Sequence, residues 1–239
     1  MTPPLLKDRS TAVKEGLSAG WPICLGYLPI GMAFGVLAQK AGLTPLQIGL
    51  MSIMVFAGSS QFIAVSMLSG GASVPAIITT TFVVNMRHVL MSSALAVYLR
   101  SAHQGLLALY AYGVTDESFA VNLPRFNAGT WSLSRALVVN HAANLTWFIS
   151  TVAGGIGGRF IPAGAFGIDY ALIAMFICLL IYQIRKLIHL LTAVLAGLIA
   201  VVLALAMPGN TYIVIASIVA ATAGVIIQRK MPGGTPDHG

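Results

Sequence analysis

The chain has 239 residues, 57% of them apolar and 8% charged, with a mean hydropathy of +0.89. A soluble domain carries about 25% charged residues, so these proportions exclude a soluble globular domain, a disordered chain and a disulfide-rich secreted module. The formal net charge of +7 is a topology signal rather than a nucleic-acid one, because the basic residues fall between apolar stretches.

A membrane-crossing helix needs roughly 20 mostly apolar residues. In chain order, eight such runs are expected, at 17–38, 47–69, 74–99, 104–123, 134–153, 166–184, 188–207 and 211–228. The fold class is therefore all-α, a polytopic membrane protein, with six or seven spans as the alternative if re-entrant segments make up the difference. The first run exceeds the core of a signal peptide, about 7–15 residues, and is expected to be a retained span. Residues 1–16 should form a cytoplasmic segment, 17–228 a single transmembrane domain and 229–239 a cytoplasmic tail.

With the N-terminus in the cytoplasm, that side holds Lys7, Arg9, Lys14, Arg125, Arg135, Arg185, Lys186, Arg229 and Lys230. The other side holds Lys40, Arg100 and Arg159. This bias supports the orientation and an even span count. Cys24 and Cys178 sit in apolar runs and are expected to pack as small hydrophobes.

The last three runs are smooth stretches of Leu, Ile, Val and Ala. The first five are interrupted by polar residues, Gly and Pro. Broken helices survive in a bilayer only where protein or a water-filled cavity satisfies the freed backbone. The chemistry is therefore expected within residues 17–153.

Intramembrane charges are costly and mark function. Arg87 lies deep in the third run, and Asp116 and Glu117 lie deep in the fourth. About the turn near residues 101–102, Arg87 and Asp116 are equidistant, so a helical hairpin brings them to one depth. A bare structural ion pair is the plainer account, but two carboxylates face one Arg. Asp116 is expected to pair with Arg87, and Glu117, left without a partner, to carry a proton. His88 is a second proton-linked group or simply a neighbouring donor.

Reflection of Arg87 through the 70–73 turn lands beside Ala57-Gly58-Ser59-Ser60-Gln61, a locally unwound or closely packed stretch. A further reflection, of Ser59, lands near Cys24, beside Gly26-Tyr27-Leu28-Pro29, where Pro29 is expected to kink or break the first helix. Gly31-x-x-x-Gly35 is a weak signal for close helix contact. In the fifth run Asn140 and Asn144 share a face at i, i+4, with His141 one step round; a buried, hydrogen-bonded His141 is the plainer reading. Asn85 and Thr115 complete the layer.

Converging polar groups in broken spans are the pattern of a transporter site. Arg87, or backbone N–H groups at a helix break, suits a carboxylate. Asp116 or Glu117 suits an ammonium group. Walls from Met32, Phe34, Phe62 and Phe119 suit an aliphatic side chain. The Gly16-x-Ser18-x-Gly20 match to a hydrolase elbow lies at the mouth of a membrane helix and lacks the strand-to-helix context that motif needs. No phosphate-binding loop is present, so no ATP hydrolysis, cofactor, metal or catalytic residue is expected.

Four segments carry a family resemblance: Tyr27-Leu-Pro29-Ile-Gly31-Met-Ala-Phe34-Gly35, Ala57-Gly58-Ser59-Ser60-Gln61-Phe62, Asn85-Met-Arg87-His88-Val-Leu90 and Gly113-Val-Thr115-Asp116-Glu117-Ser-Phe119-Ala120. In this order they resemble the signature segments of AzlC proteins, the large subunits of branched-chain amino acid exporters. The resemblance implies export of valine, leucine or isoleucine, a small AzlD-type membrane partner and a bacterial inner membrane. It makes a proton-driven secondary transporter the expected function and Tyr27, Gly58, Ser59, Ser60, Gln61, Arg87 and Asp116 the substrate-binding candidates. A passive channel or small-ion transporter, or a non-transporting membrane subunit, are the alternatives.

Overall fold

The computed structural model describes residues 9–100, 102–160 and 187–206, with isolated positions between 177 and 227. Among the described residues every regular element is helical. Helix α1 spans Arg9–Lys40. Helices α2 (Pro45–Met54) and α3 (Gly58–Ser69) follow. Helix α4 (Val74–Ala96) runs on into a 3₁₀ turn at Val97–Leu99. Helices α5 (Gln104–Tyr112) and α6 (Asp116–Asn127) precede α7 (Leu133–Gly157). Helix α8 spans Leu187–Ala206. The expected runs at 166–184 and 211–228 lie mostly outside the described residues.

Local chemistry explains these ends. Thr44 caps α2 with Gln47 in a reciprocal capping box, and Pro45 opens the helix, where a missing N–H costs nothing. Thr115 and Ser118 form the same kind of box at α6. His103 accepts from Gly105 N–H to start α5. Ser132 caps α7.

Two expected spans are split. The 47–69 run breaks between α2 and α3, and the 104–123 run breaks between α5 and α6. The first span is unbroken: α1 contains both Pro22 and Pro29. Pro29 removes one hydrogen bond to the carbonyl four residues earlier. The remaining turns of this 32-residue helix, fixed against α7, carry the chain through it.

The chain divides into two compact units, Met1–Ser66 with Val84–Leu172 and Met67–Val83 with Ile173–Gly239. In the first, α1 packs along α7. Gly16 lies on Val138, Gly31 on Ser150, and Gly35 on the backbone of Thr151 and Gly155, with no room for a Cβ at any of the three. The expected Gly31-x-x-x-Gly35 contact is thus present. The contact positions rise together along both helices, so α1 and α7 run parallel. At one end, Leu95, Leu99, Tyr110, Val114, Phe126, Leu133 and Ala136 form an apolar cluster. In the second unit, Gly224 lies against Thr192.

The outer surface is apolar as well. Ile78, Phe82, Met86, Val89 and Leu90 of α4 are exposed, as are Leu198, Val201 and Leu205 of α8. Such a surface is untenable in water and is what hydrocarbon requires. Ser10–Lys40 and Val74–Leu99 are each long and apolar enough to cross a membrane.

Candidate substrate site

The site is built on the two helix breaks. At the first, Val55, Phe56 and Ala57 separate α2 from α3, and Phe56 takes a left-handed backbone (φ 36°). An aromatic residue there is strained, at a cost of about 1–3 kcal/mol. Phe56 is buried, and its ring lies 6.1 Å from that of Tyr112 at the end of α5. The two breaks are therefore neighbours. At the second, Gly113-Val114-Thr115 separates α5 from α6, and a Cβ at Gly113 would lie 2.7 Å from Asn140 Cβ.

Three charged groups meet beside these breaks. Arg87 Nη1 lies 2.7 Å from Asp116 Oδ2, with both side chains about one-third exposed (30% and 34%). Arg87 Nη2 donates to Ser59 Oγ in the first turn of α3. Arg87 Nε is buried and makes no hydrogen bond among the described residues. Two positions earlier on α4, Asn85 Oδ1 accepts from Ser60. Tyr27 of α1 donates to Glu117 Oε2 at 2.7 Å, and Thr115 Oγ1 lies 3.1 Å from the same hydroxyl. His88 is half-buried and within electrostatic range of Arg87 and Glu117.

Asp116 and Glu117 occupy the first turn of α6, where the helix dipole favours negative charge. The first turn of α3 carries Ser59 and Ser60 but no acid. Its first N–H groups precede the earliest intrahelical bond, Gln61 N–H to Ala57 C=O, so the helix's own ladder does not satisfy them.

Helix α7 satisfies the interrupted backbone. Asn140 Nδ2 donates to the Tyr110 carbonyl at the end of α5 (3.1 Å) and Asn140 Oδ1 accepts from Asn122 (3.1 Å). Asn144 Nδ2 donates to the Tyr112 hydroxyl, which donates to the Ile53 carbonyl at the end of α2. Trp147 Nε1 donates to Gln61 Oε1 (2.9 Å), and Gln61 Nε2 donates to Ser52 (3.2 Å). Ser52 shares a hydrogen bond with Thr151 (2.8 Å). Positions 140, 144, 147 and 151 form one stripe at helical spacing.

The structure thus brings together Arg87, Asp116, Ser59, Tyr27, Glu117 and Thr115. Two expectations differ. Glu117 has a partner, Tyr27, because depth matching brings Tyr27 to the layer but does not fix how α1 is turned about its axis. Gln61 is fully buried between Trp147 and Ser52, and Gly58 packs on the Trp147 indole, so both support the break. His141 lies off the stripe, its Nδ1 against the Leu137 carbonyl of its own helix (2.8 Å). Of the expected apolar walls, Phe34 and Phe62 are buried edge to face (5.2 Å), with Phe34 stacked on Trp147. Phe119 packs on the apolar cluster instead, and Met32 is exposed. Cys24 is a half-buried free thiol; Cys178 lies outside the described residues. Trp147, Tyr112, Ser52 and Thr151 were not anticipated, although their spacing from Asn140 and Asn144, or their place beside a break, carries the signal.

Paired helix breaks beside an Arg–Asp pair and a second carboxylate are the pattern of a membrane transport protein. The family model described as AzlC protein matches residues 22–161. The chain belongs to the AzlC family. It is 30% identical over 237 residues to "Inner membrane protein YgaZ" of Escherichia coli, covering 96% of this chain and 95% of the relative. It is 30% identical over 169 residues to "Branched-chain amino acid transport protein AzlC" of Bacillus subtilis, covering 69% and 65%. An "Uncharacterized membrane protein" of Archaeoglobus fulgidus is 35% identical over 118 residues, 48% of this chain and 51% of the relative. No solved structure matches.

Proposed function

We propose that the chain is the large subunit of a secondary exporter of branched-chain amino acids, driven by protons across a bacterial inner membrane. It works as one transport domain of eight spans over 17–228, with both termini cytoplasmic and a small AzlD-type membrane partner. The observation that carries the reading is the bridge Arg87 makes between Ser59 in the first turn of α3 and Asp116 in the first turn of α6. The α3 N-terminus, with Ser59 beside Arg87 of α4, presents donors to a carboxylate. The α6 N-terminus, with Asp116 and Glu117, presents acceptors to an ammonium group. A zwitterion satisfies both ends, and either end alone leaves a desolvated charge unpaired. An amino acid carboxylate competes with Asp116 for Arg87, and its ammonium takes up the released carboxylate. Glu117, held by Tyr27, is the group that carries the proton.

The name of the Bacillus subtilis relative supports the substrate class, and the buried aromatic group of Phe34, Phe62 and Trp147 beside the layer supports an aliphatic side chain. The test is saturable leucine counterflow in proteoliposomes containing the purified chain with its partner. Counterflow is expected in the wild type and should fall at least a hundredfold in Arg87→Ala while insertion is retained. Full transport by Arg87→Ala would remove the site assignment. Flux that rises without saturation would make the protein a channel.

A further inference from the structure

We propose that a basic cleft at the ends of α1, α6 and α7 binds the phosphate headgroup of an anionic membrane lipid. The cleft is an open groove of about 590 Å3, and Lys14, Glu15, Arg125, Thr130, Trp131 and Arg135 line it. Ligand sites run to about 300–1,000 Å3. Three bases face one acid, and that acid, Glu15, is paired with Arg135. Lys14 and Arg125 therefore supply a surplus of positive charge.

The arginines are pre-positioned. The guanidinium groups of Arg125 and Arg135 lie 5.2 and 5.9 Å from the centre of the Trp131 ring. Trp131 is itself fixed, because its Nε1 donates to the buried Asn122 at 2.9 Å. Arg125 Nη1 donates to the Val121 carbonyl at 2.8 Å, which leaves the rest of its fork for an anion. A planar guanidinium held over an aromatic face, with free N–H groups, matches the geometry of phosphate oxygens.

Depth selects a lipid. Lys14 and Tyr27 lie on the one continuous helix α1, 27 − 14 = 13 positions apart, or about 20 Å at ~1.5 Å per residue. Arg135 and Trp147 on α7 are 147 − 135 = 12 positions apart, or about 18 Å on the same scale. Tyr27 and Trp147 are in ring contact (5.2 Å) and mark the substrate layer. Half of a ~30 Å hydrocarbon core is about 15 Å, so a mid-membrane layer puts the cleft among the headgroups. Trp is at home at that level, and basic pockets between helices there take lipid phosphates.

The inference rests on α1 and α7 crossing the bilayer, not on the substrate carried. The test uses the full-length protein in an uncharged detergent, titrated separately with dihexanoyl phosphatidylglycerol, dihexanoyl phosphatidylcholine and inorganic phosphate. Binding is read by native mass spectrometry and by the thermal midpoint. Phosphatidylglycerol should bind at least tenfold tighter than phosphatidylcholine, and Lys14→Gln/Arg125→Gln should lose that preference. The milder Lys14→Gln alone should lose part of it, which guards against misfolding of the double variant. Equal binding of the two lipids, or an undiminished preference in both variants, overturns the site. A shift from inorganic phosphate equal to that from phosphatidylglycerol overturns the lipid as its occupant. Absence of leucine counterflow would count against the transport reading and leave this result standing.

Discussion

Arg87 is shared among several partners: one Nη meets Asp116, the other meets Ser59, and Nε is unbonded among the described residues. Its two bonds reach two different half-helices, so releasing one leaves the other to hold the side chain in place. The carboxylates divide differently. Asp116 neutralises Arg87, whereas Glu117 accepts from the neutral Tyr27 hydroxyl. Hydrogen bonds to a charged group contribute about 1.5–3 kcal/mol, so the tyrosine contact is strong enough to hold the carboxylate and weak enough to be exchanged. We expect Asp116→Asn to lose both exchange and uphill export, because it strands Arg87. Glu117→Gln should keep leucine exchange and lose pH-driven uphill export. Tyr27→Phe should keep both while altering the pH dependence of export, since its ring contact with Trp147 survives. Parallel counterflow and pH-jump uptake assays on the three variants separate these outcomes; uphill export by Glu117→Gln at the wild-type rate would reject the division.

At the level of elements, α7 is the scaffold on which both breaks rest. Replacing Asn140 by Leu keeps the bulk but leaves Asn122 Nδ2 and the Tyr110 carbonyl without the bonds Asn140 gives them. Each buried polar group left unmade costs about 1–3 kcal/mol. Asn140→Leu should therefore lower the thermal midpoint in detergent by several degrees, while His141→Leu, one step round and bonded to its own helix, should lower it much less. Equal shifts would show that the stripe has no special role. The Arg87–Asp116 contact was legible in the sequence because a helical hairpin conserves depth, and depth follows from counting residues. The Tyr27–Glu117 contact was not, because it depends on how α1 rotates against α6, and no count fixes rotation. The second break was half-legible. Apolar counting runs straight across 113–115, yet Gly113 followed by Thr115-Asp116-Glu117 is the punctuation of one helix ending and another starting.

For the whole molecule, composition alone fixed the class, since a chain with 8% charged residues has no polar surface to show to water. The number of spans was less legible, because a split span and two short helices have the same hydropathy. The parallel course of α1 and α7 bears on the count. If both cross the bilayer, the chain between them crosses an odd number of times, as three passes through 47–69, 74–99 and 104–123 would give. Continued alternation through three more spans puts the C-terminus on the side of the N-terminus. An alkaline phosphatase fusion at Gly234 should then be inactive and a green fluorescent protein fusion there should fluoresce; the reverse pair would place the tail outside.

The dependence of both breaks on α7 also sets a timetable for biosynthesis. The Ile53 carbonyl is made early, but the Asn144 amide that supports its partner, Tyr112, comes 144 − 53 = 91 residues later. At ~5–20 residues per second the interval is about 5–18 seconds. Through that interval the second span is without the α7 side chains its break leans on, Asn144 through Tyr112 and Trp147 through Gln61. Until the fifth span is made, the insertion channel's water or lining is the source of those hydrogen bonds.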